Sequence, residues 1–406
     1  MSPQPPRIVL GVAGGIAAYK SAEVLRRFTE GGHQVLVVPT SSALEFVGAA
    51  TFEALSGLPV HTGVFADVPD VPHVRLGKEA DLVVVAPATA DLLARAAQGR
   101  ADDLLTATLL TARCPVLFVP AMHTEMWEHP ATRANVELLR SRGATVMEPA
   151  AGRLTGADTG AGRLPDPVQI VELGRLLLER ADALPHDLGG RRVVVSAGGT
   201  REALDPVRFL GNRSSGRQGY ALAAVAAQRG ADVTLVAAHS GDLPDPAAVE
   251  MVRVGSALEL RDAMHAAAKG ADAVVMAAAV ADFRPVTNKA HKIKKTGSDP
   301  DPLVLTTNPD ILVELVGTRE PGQVVVGFAA ETGDDSGDAL DHGRRKLHRK
   351  GCDLLVVNAV GDGLAFEVPD NAGWLLAADG GESVLPVGSK ALLASRVWDA
   401  VAARLR

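Results

Sequence analysis

The residues best suited to chemistry in this sequence lie in two glycine- and serine-rich loops near its midpoint. Residues 197–200 (AGGT) directly follow the β-branched run 193–195, which predicts a buried strand. Residues 212–219 (NRSSGRQG) precede the alanine-rich run 220–229, which predicts a helix. Such loops leave backbone N–H groups and hydroxyls free for an anion, so together they indicate a phosphate site. An ordinary turn and a helix cap would explain either loop alone.

A lysine-rich run follows farther along the chain, at residues 289–295 (KAHKIKK). Charge runs usually form solvated faces. This run lies in a predicted loop between Pro285 and Pro302, where its ammonium groups could close over a triphosphate.

Composition limits the kind of protein that carries these loops. The 406 residues favour two or three domains, and 47% hydrophobic residues supply sizeable cores although only 3% are aromatic. A net charge of -7 without a long basic run argues against nucleic acid as the main partner. Cys114 and Cys352 cannot form a disulfide framework and are predicted to be buried thiols in a reducing compartment. With no signal peptide or membrane span predicted, we expect a soluble cytoplasmic protein.

Predicted strands alternate with predicted helices, and the pattern occurs twice. Residues 80–91 (ADLVVVAPATAD) are similar to residues 271–282 (ADAVVMAAAVAD), and the glycine loop at 13–15 is similar to that at 197–199. The fold class predicted is therefore α/β, with two Rossmann-like, doubly wound domains. The predicted boundaries are 1–180 for the first domain, 181–190 for a linker and 191–406 for the second.

Ligands of such sheets bind beyond the carboxyl ends of the strands. The segments expected there are 14–15, 87–89 and 120–123 in the first domain, and 198–200, 277–282 and 328–332 in the second. Neither glycine loop has the spacing GxGxxG, and no acidic residue ends the second strand, so NAD is disfavoured. A mononucleotide phosphate needs only free amides and hydroxyls such as those of Thr40 and Ser41.

Motifs throughout the chain occur in the order of one family. They are GGIAAYK (14–20), VPHVRLGK (71–78), APATAD (86–91), PAMHTEMW (120–127), AGGTREALDPVRF (197–209), NRSSGRQG (212–219), AAAVADFRP (277–285), KIKK (292–295), NPDIL (308–312) and GFAAET (327–332). Over nearly its whole length, the sequence resembles the bacterial bifunctional phosphopantothenoylcysteine decarboxylase/phosphopantothenate–cysteine ligases of coenzyme A biosynthesis. Each motif alone is weakly specific.

The resemblance implies that the first domain is an FMN-dependent decarboxylase. The residues it assigns to FMN are Gly14, Gly15 and Ser41 at the phosphate and Ala86, Pro87, Ala88 and Thr89 beside the ring. Loss of carbon dioxide needs an electron sink, and the family's flavin provides it by oxidising the cysteine thiol to a thioaldehyde and later returning a hydride. His73 matches the family's catalytic histidine, and imidazole suits proton transfer near neutral pH.

Two positions of the first domain depart from the family pattern. His123 stands where the family has an asparagine that binds the substrate carboxylate, beside the substrate-binding matches Met122, Met126 and Trp127. An imidazole N–H can still donate to a carboxylate, and we expect His123 to be neutral during turnover.

The second departure is Gly156, which stands where the family has a cysteine acid. Asp158, His123 or water would then supply the reductive proton. A flavin domain that has lost activity is the alternative interpretation of both departures.

The resemblance implies that the second domain is a ligase that joins 4′-phosphopantothenate to L-cysteine through an acyl-cytidylate made from CTP. The residues assigned to the acyl intermediate and to phosphopantothenate are Asn212, Ser214, Gly216 and Gly219, with Gly198 and Gly199 near phosphate. Those assigned to CTP are Met276, Ala277, Ala278, Asp282, Pro309, Asp310, Ile311, Leu312, Phe328, Lys346 and Lys350. Lys292 aligns with the lysine needed to convert the acyl-nucleotide.

The family also implies Mg²⁺, although no dedicated carboxylate cage is visible in the sequence, and the metal ligands stay unknown. It implies a homo-oligomer, a dodecamer in which ligase domains form dimers. Nucleic acid and membrane are not expected partners. Two alternatives stay open, namely a ligase with a silent, regulatory flavin-binding domain and a two-domain NAD-type oxidoreductase.

Overall fold

The computed structural model describes residues 4–63, 71–154, 158–294, 302–331, 337–359 and 370–405. The chain divides into two compact units, Met1–His186 with Pro246–Ala248, and Asp187–Asp245 with Val249–Arg406. None of the described helices is both long enough and apolar enough to span a membrane.

The first unit alternates strands and helices from its start. Its strands are β1 (Arg7–Val12), β2 (Gln34–Pro39), β3 (Leu82–Ala88), β4 (Val116–Pro120), β5 (Thr145–Val146), β6 (Ala150–Arg153) and β7 (Thr159–Arg163). Its helices are α1 (Ser21–Glu30), α2 (Ser41–Leu44), α3 (Ala49–Ser56), α4 (Pro72–Glu79), α5 (Ala90–Ala97), α6 (Leu104–Thr111), α7 (Thr124–Glu128), α8 (Pro130–Ser141) and α9 (Pro167–Glu179). A 3-10 helix at Ile16–Lys20 leads into α1.

Five parallel strands form the sheet of this unit in the order β2-β1-β3-β4-β5. This is the flavodoxin-like doubly wound order, whose switch point lies between β1 and β3. All residues of β3 are buried, as expected for a central parallel strand covered by helices on both faces. Strands β6 and β7 form a separate antiparallel hairpin.

The second unit repeats the alternation and adds two hairpins. Its strands are β8 (Arg192–Ala197), β9 (Arg201–Ala203), β10 (Phe209–Gly211), β11 (Asp232–Ala237), β12 (Val249–Arg253), β13 (Ala273–Met276), β14 (Phe283–Pro285), β15 (Leu305–Thr307), β16 (Val324–Glu331), β17 (Leu354–Ala359), β18 (Asp370–Ala377) and β19 (Glu382–Ser389). Its helices are α10 (Arg217–Gln228), α11 (Ala257–Ala268), α12 (Ile311–Thr318), α13 (Ala339–Lys350) and α14 (Lys390–Arg404).

The large sheet of this unit has the order β12-β11-β8-β13-β16-β17-β18-β19. Its first six strands are parallel and follow the dinucleotide-fold order 3-2-1-4-5-6, with the switch point between β8 and β13. Strands β18 and β19 extend the sheet antiparallel. The pairs β9–β10 and β14–β15 are short antiparallel hairpins outside this sheet.

The predicted pair of doubly wound, Rossmann-like folds is confirmed. Details differ from the sequence-based expectation. The sequence predicts a helix over residues 17–30, but its first turn, residues 17–20, lies in a 3-10 helix. Strands β12, β18 and β19 were not expected. Cys352 is fully buried as predicted, whereas Cys114 is only half-buried, since it lies in the turn before β4.

Candidate active sites

The glycine loop of the first unit lies at the switch point of its sheet. Backbone hydrogen bonds join it to the neighbouring strand ends, from Ala13 N to the Pro87 carbonyl (3.1 Å) and from Thr40 N to the Val12 carbonyl (2.9 Å). A Cβ on Gly14 would overlap the side chain of Ser42, so only glycine fits there. Ser41 is exposed at the first position of α2. Bare amides and a free hydroxyl at this crevice fit the phosphate of a flavin mononucleotide.

The end of β3 forms an apolar wall beside that loop. Ala86, Pro87 and Ala88 are buried, and the Ser21 hydroxyl donates to the Ala86 carbonyl at 2.6 Å. Thr89 caps α5 by accepting from the Leu92 amide at 3.3 Å. Thus the residues predicted beside a flavin ring form one continuous, helix-supported edge.

A cavity of about 410 Å³ opens next to this edge. Its lining contains Gly15, Pro87, Met122 and His123, together with the cations Lys20, Arg153 and Arg163. Burial and the nearby positive charge of Arg163 lower the pKa of Lys20. A positive lining of this kind favours an anionic ligand, and the volume suits a small molecule.

The β6–β7 hairpin packs closely on the segment that carries His123. Met122 N donates to the Gly162 carbonyl (2.9 Å), and the Thr124 hydroxyl donates to the Ala161 carbonyl (2.7 Å). A Cβ on Gly160 or Gly162 would overlap Thr124 or the Met122 carbonyl, respectively. Glycine in this hairpin is therefore a packing requirement, which sequence reasoning did not identify.

His123 and Asp158, two of the predicted proton donors, lie close together. The His123 Nδ1 is 4.0 Å from an Asp158 carboxylate oxygen, and both side chains are accessible. Gly156, predicted to stand in the place of a cysteine acid, lies outside the described residues.

The other predicted substrate-binding residues of this segment differ in exposure. Met126 is 48% exposed, whereas Trp127 is buried at 4% beneath the guanidinium of Arg133. Trp127 therefore packs in the core, and its contribution to a ligand site is support for the segment.

His73 is the second residue of α4 and is not among the residues that line the cavity. Its carbonyl accepts a hydrogen bond from the Thr111 hydroxyl (2.7 Å), while its Nδ1 is buried with no hydrogen-bond partner among the described residues. A buried imidazole nitrogen without a partner is costly and is typical of a group kept for a ligand or for proton transfer.

The second unit builds its site where β8 and β13 end side by side. Gly199 N donates to the His239 carbonyl (2.8 Å), and Ala279 N donates to the Gly198 carbonyl (2.8 Å). Gly198 has a φ of +82°, and a Cβ there would lie 2.7 Å from the His239 carbonyl oxygen. The loop 197–200 is thus joined by backbone contacts to the segment 277–281.

Two fully buried hydroxyls hold the same segment. Thr200 belongs to the segment 198–200 predicted at this edge of the sheet, whereas sequence reasoning missed Ser196. Ser196 Oγ accepts from the amides of Ala277 (3.0 Å) and Ala278 (3.1 Å). Thr200 Oγ1 accepts from the amide of Ala281 (2.9 Å). A polar residue at the carboxyl end of an apolar strand is the sequence feature that could have identified Ser196.

Asn212 lies against the same segment, since its side-chain amide donates to the Val280 carbonyl at 2.9 Å. Gly216, with a φ of +75°, is the N-cap of α10, and its amide donates to Ser214 Oγ at 3.3 Å. A Cβ on Gly219 would lie 2.8 Å from the Ser196 carbonyl oxygen, so this glycine lets α10 approach β8. The four residues predicted to hold phosphopantothenate or its acyl intermediate therefore surround one switch point.

The residues predicted to contact CTP fall into two groups. Met276, Ile311 and Leu312 are buried core residues at 6%, 2% and 8% exposure. The second group lies in a polar segment around Asp282. Asn308 N donates to the Asp282 carbonyl (2.8 Å), and Asn308 Nδ2 donates to the Ala281 carbonyl (2.8 Å).

Farther along that edge, Asp310 is the N-cap of α12 and pairs with Lys350. Lys346 lies one turn before Lys350 on α13, and Phe328 is half-buried in β16. Pro309 precedes the Asp310 cap.

Lys292 lies in the connection between β14 and β15, as predicted for a loop. Its side chain is exposed, and so are its neighbours His291 and Lys294. Among the described residues no group of three or more His, Cys, Asp or Glu side chains could hold a metal ion. The described part of the chain therefore contains no preformed cluster of ligands for a resident Mg²⁺.

Each unit is thus a doubly wound α/β domain with an anion-ready loop at its switch point, one of flavodoxin-like order and one of dinucleotide-fold order. Residues 2–176 match the family model described as Flavoprotein. Residues 188–405 match the model described as DNA/pantothenate metabolism flavoprotein C-terminal domain.

Two known proteins resemble the chain over nearly its full length, and a solved structure resembles its second half. The coenzyme A biosynthesis bifunctional protein CoaBC of Mycolicibacterium smegmatis is 67% identical over 405 residues, 98% of each chain. That of Mycobacterium tuberculosis is 67% identical over 402 residues, 98% of this chain and 96% of the relative. A solved C-terminal domain of a CoaBC protein is 32% identical, with a TM-score of 0.45, and the match covers 54% of this chain and 98% of that one.

The chain belongs to the CoaBC family of bifunctional coenzyme A biosynthesis proteins. It is an enzyme with a flavoprotein-type decarboxylase half followed by a ligase half. The predicted family is confirmed.

Proposed function

We propose that the second unit condenses 4′-phosphopantothenate with L-cysteine at the expense of CTP, and that the first unit converts the product to 4′-phosphopantetheine with FMN. The observation that carries the proposal is that each unit places its glycine loop at the switch point of a parallel sheet. Phosphate groups of both substrates and of the flavin can bind there to free backbone amides.

The ligase reaction has two steps. A carboxylate oxygen of phosphopantothenate attacks the α-phosphorus of CTP and displaces pyrophosphate. The cysteine amine then attacks the acyl carbon, and cytidine monophosphate leaves with the bonding electron pair. Asn212 is well suited to orient the acyl group because a neutral amide can both donate and accept hydrogen bonds.

Lys292 would stabilise negative charge on the transferring groups from its exposed loop position. Lys346 and Lys350 would add positive charge on the α13 side. Mg²⁺ would accompany the nucleotide as its phosphate complex, which agrees with the lack of a protein metal cluster among the described residues.

For the first unit, the fit of the Gly14 cradle and the β3 edge supports FMN as the cofactor. When bound, the flavin would supply the electron sink that decarboxylation of a cysteine carboxylate lacks. His123 would orient the substrate carboxylate through an imidazole N–H, and Met122 would pack beside it. His73 would transfer a proton at the cysteine side chain, because its buried Nδ1 has no partner within the described chain.

Asp158 and His123 are the side chains we propose for the final proton. They lie close to each other beside the cavity. Either could take the role of the cysteine acid, since position 156 is glycine in this sequence. Water is the remaining donor if neither side chain is needed.

Exposed apolar side chains support a homo-oligomer with ligase-domain dimers. On the two small hairpins of the second unit, Val207, Phe209, Phe283, Val286 and Val304 are 62%, 50%, 49%, 56% and 70% exposed. On the first unit, Ile16 and Tyr19 are 69% and 61% exposed. Patches of this kind mark protein–protein contacts, and a dodecamer would cover both units. We propose a cytoplasmic location, consistent with two free cysteines and with no nucleic-acid or membrane partner.

A second candidate function is a ligase with a silent flavin-binding domain, favoured by Gly156 and His123. The deciding experiment gives the purified full-length protein phosphopantothenate, cysteine, Mg²⁺ and either CTP or ATP, and follows products by mass. Phosphopantetheine formed with CTP supports both halves. Accumulated phosphopantothenoylcysteine supports the silent domain, and absence of product with either nucleotide overturns the ligase proposal.

A further inference from the structure

We infer that Asp205 is a positioning residue of the ligase reaction, because its carboxylate tethers the loop that carries Lys292. This inference rests on the proposed function of the second unit. Asp205 lies in the turn between β9 and β10, far from Lys292 in sequence, and its side chain is fully buried.

The tether consists of hydrogen bonds to one loop residue, Ile293, which directly follows Lys292. Ile293 N donates to Asp205 Oδ2 at 3.1 Å, and Arg208 Nη2 donates to the Ile293 carbonyl at 2.6 Å. Both backbone groups of Ile293 are therefore engaged. A further backbone bond joins Lys289 N to the Leu204 carbonyl at 3.1 Å.

The Asp205 carboxylate also stabilises the turn between β9 and β10, in which it lies. Its Oδ1 accepts from the amides of Val207 and Arg208, each at 2.8 Å. Its Oδ2 accepts from the Arg208 guanidinium through Nε (3.0 Å) and Nη2 (2.7 Å). Oδ1 therefore stabilises the turn alone, whereas Oδ2 binds both the Arg208 side chain and the loop.

Position 205 needs a carboxylate because both oxygens must accept hydrogen bonds. Burial alone would raise the pKa of Asp205, but the hydrogen bonds from Val207, Ile293 and Arg208 lower it strongly. An asparagine could keep its single oxygen on the two turn amides. Its NH₂ group would then face the Ile293 N–H and the Arg208 guanidinium, donor against donor.

The tether matters because few other hydrogen bonds hold the described part of the loop, residues 289–294. Residues 289–294 are exposed. Their lysine side chains can stabilise the transferring groups only if the backbone that carries them has a defined position. Holding Ile293 at both its N–H and its carbonyl restricts the backbone beside Lys292 and thereby the reach of its ammonium group.

The test compares Asp205→Asn, Lys292→Gln and the double variant in the full-length protein. The matched control is Asp379→Asn, which removes a carboxylate from an exposed pair with Arg404. We expect Asp205→Asn to lower the ligase kcat about 10- to 100-fold, because the variant loses hydrogen bonds to a charged group. The nucleotide KM should change little. In the Lys292→Gln background the same change should cost less than about 2-fold, because residues that act through one group are not additive.

Limited trypsin digestion gives a readout independent of activity. Asp205→Asn should speed cleavage after Lys289, Lys292 or Lys294 by about 10-fold or more, while the thermal midpoint stays near that of the control. Arg208→Gln, which removes the donor to the Ile293 carbonyl, should do the same if Asp205→Asn folds poorly.

Full additivity with Lys292→Gln, or unchanged cleavage of the loop in both variants, would overturn the inference. Decarboxylation of supplied phosphopantothenoylcysteine serves as the internal control and should not change. If the unmodified protein forms neither phosphopantothenoylcysteine nor phosphopantetheine with CTP or ATP, the proposed ligase function fails. The digestion result then still decides whether Asp205 tethers the loop.

Discussion

The amide of Met122 donates a hydrogen bond to the carbonyl of Gly162 at 2.9 Å, and the backbone of Gly162 lies against the Met122 carbonyl in return. This contact fixes the β6–β7 hairpin on the segment that carries His123. Gly162 has a φ of +129°, which side-chain-bearing residues rarely adopt. The two parts of the cavity lining, the β6–β7 hairpin and the segment with His123, therefore depend on this glycine for their contact.

Gly162→Ala should lower the decarboxylase rate at least about 10-fold, because the added methyl group separates the hairpin from Met122. Strain at this φ should also cost about 1–3 kcal/mol of stability. The ligase rate of the same protein should stay unchanged. Gly143→Ala is the matched control, since Gly143 also has a positive φ (+88°) but a Cβ there meets nothing within 4 Å. Equal losses in both variants would show that backbone strain alone is responsible.

His73→Asn should block carbon dioxide release while FMN stays bound. Asparagine keeps a polar group at the start of α4 but cannot shuttle a proton as imidazole does. Flavin absorbance after gel filtration measures retention, and carbon dioxide release measures turnover. Normal turnover in this variant would remove His73 from the mechanism, whereas loss of flavin would make it a binding residue.

Ser196→Ala should impair the ligase half specifically. The change removes a fully buried hydroxyl and leaves the half-buried amides of Ala277 and Ala278 without their acceptor, which should cost about 1–3 kcal/mol of unfolding free energy. The segment 277–281 should then lose its register at the switch point, and the nucleotide KM should rise. Ser395→Ala, which removes another fully buried hydroxyl of the same unit, is the control. Equal nucleotide KM values in the two variants would contradict a role at the site.

Lys292→Gln should let the acyl-cytidylate accumulate, because the neutral amide keeps the shape of the side chain but removes its charge. Quenched reactions analysed by mass spectrometry detect the intermediate directly. Lys289→Gln in the same loop is the control, and it should accumulate less. If no acyl-cytidylate is found in either variant while product formation stops, Lys292 acts in an earlier step.

Cys352 should resist alkylation in the native protein at pH 8. Burial raises the pKa of its thiol to about 11, so the reactive thiolate is scarce. The same shift stabilises the fold, fully below pH 9 and progressively less as the pH rises through 11. Unfolding in urea at pH 8 and 10.5 should show a larger loss for the unmodified protein than for Cys352→Ala. Equal losses would show that the pKa of the thiol is the same in the folded and unfolded states.

Much of the fold follows from local patterns in the sequence. The apolar runs 8–10, 82–86, 193–195 and 273–276, which lie in β1, β3, β8 and β13, predict buried parallel strands because no charged residue interrupts them. Strands β12 and β19 escaped prediction because nearly all of their residues are partly or fully exposed, as is usual at sheet edges.

The candidate sites were predictable to a different degree. The glycine loops and the segment 277–282 could be predicted, because glycine and other small residues that follow an apolar strand indicate a turn. The tasks of Ser196, Asp205 and Gly162 could not, because each depends on a partner distant in the chain. The separation of His73 from the cavity lining could not be predicted either.

The sequence by itself determined the family, the two-domain α/β plan and the loops that can bind phosphate, because these depend on neighbouring residues along the chain. Only the tertiary structure decided which strand ends meet, how Asp205 reaches Ile293 and why Gly162 must lack a side chain. The physical reason is that hydrogen bonds and steric contacts between distant segments depend on strand order, and strand order is set by packing of the whole sheet.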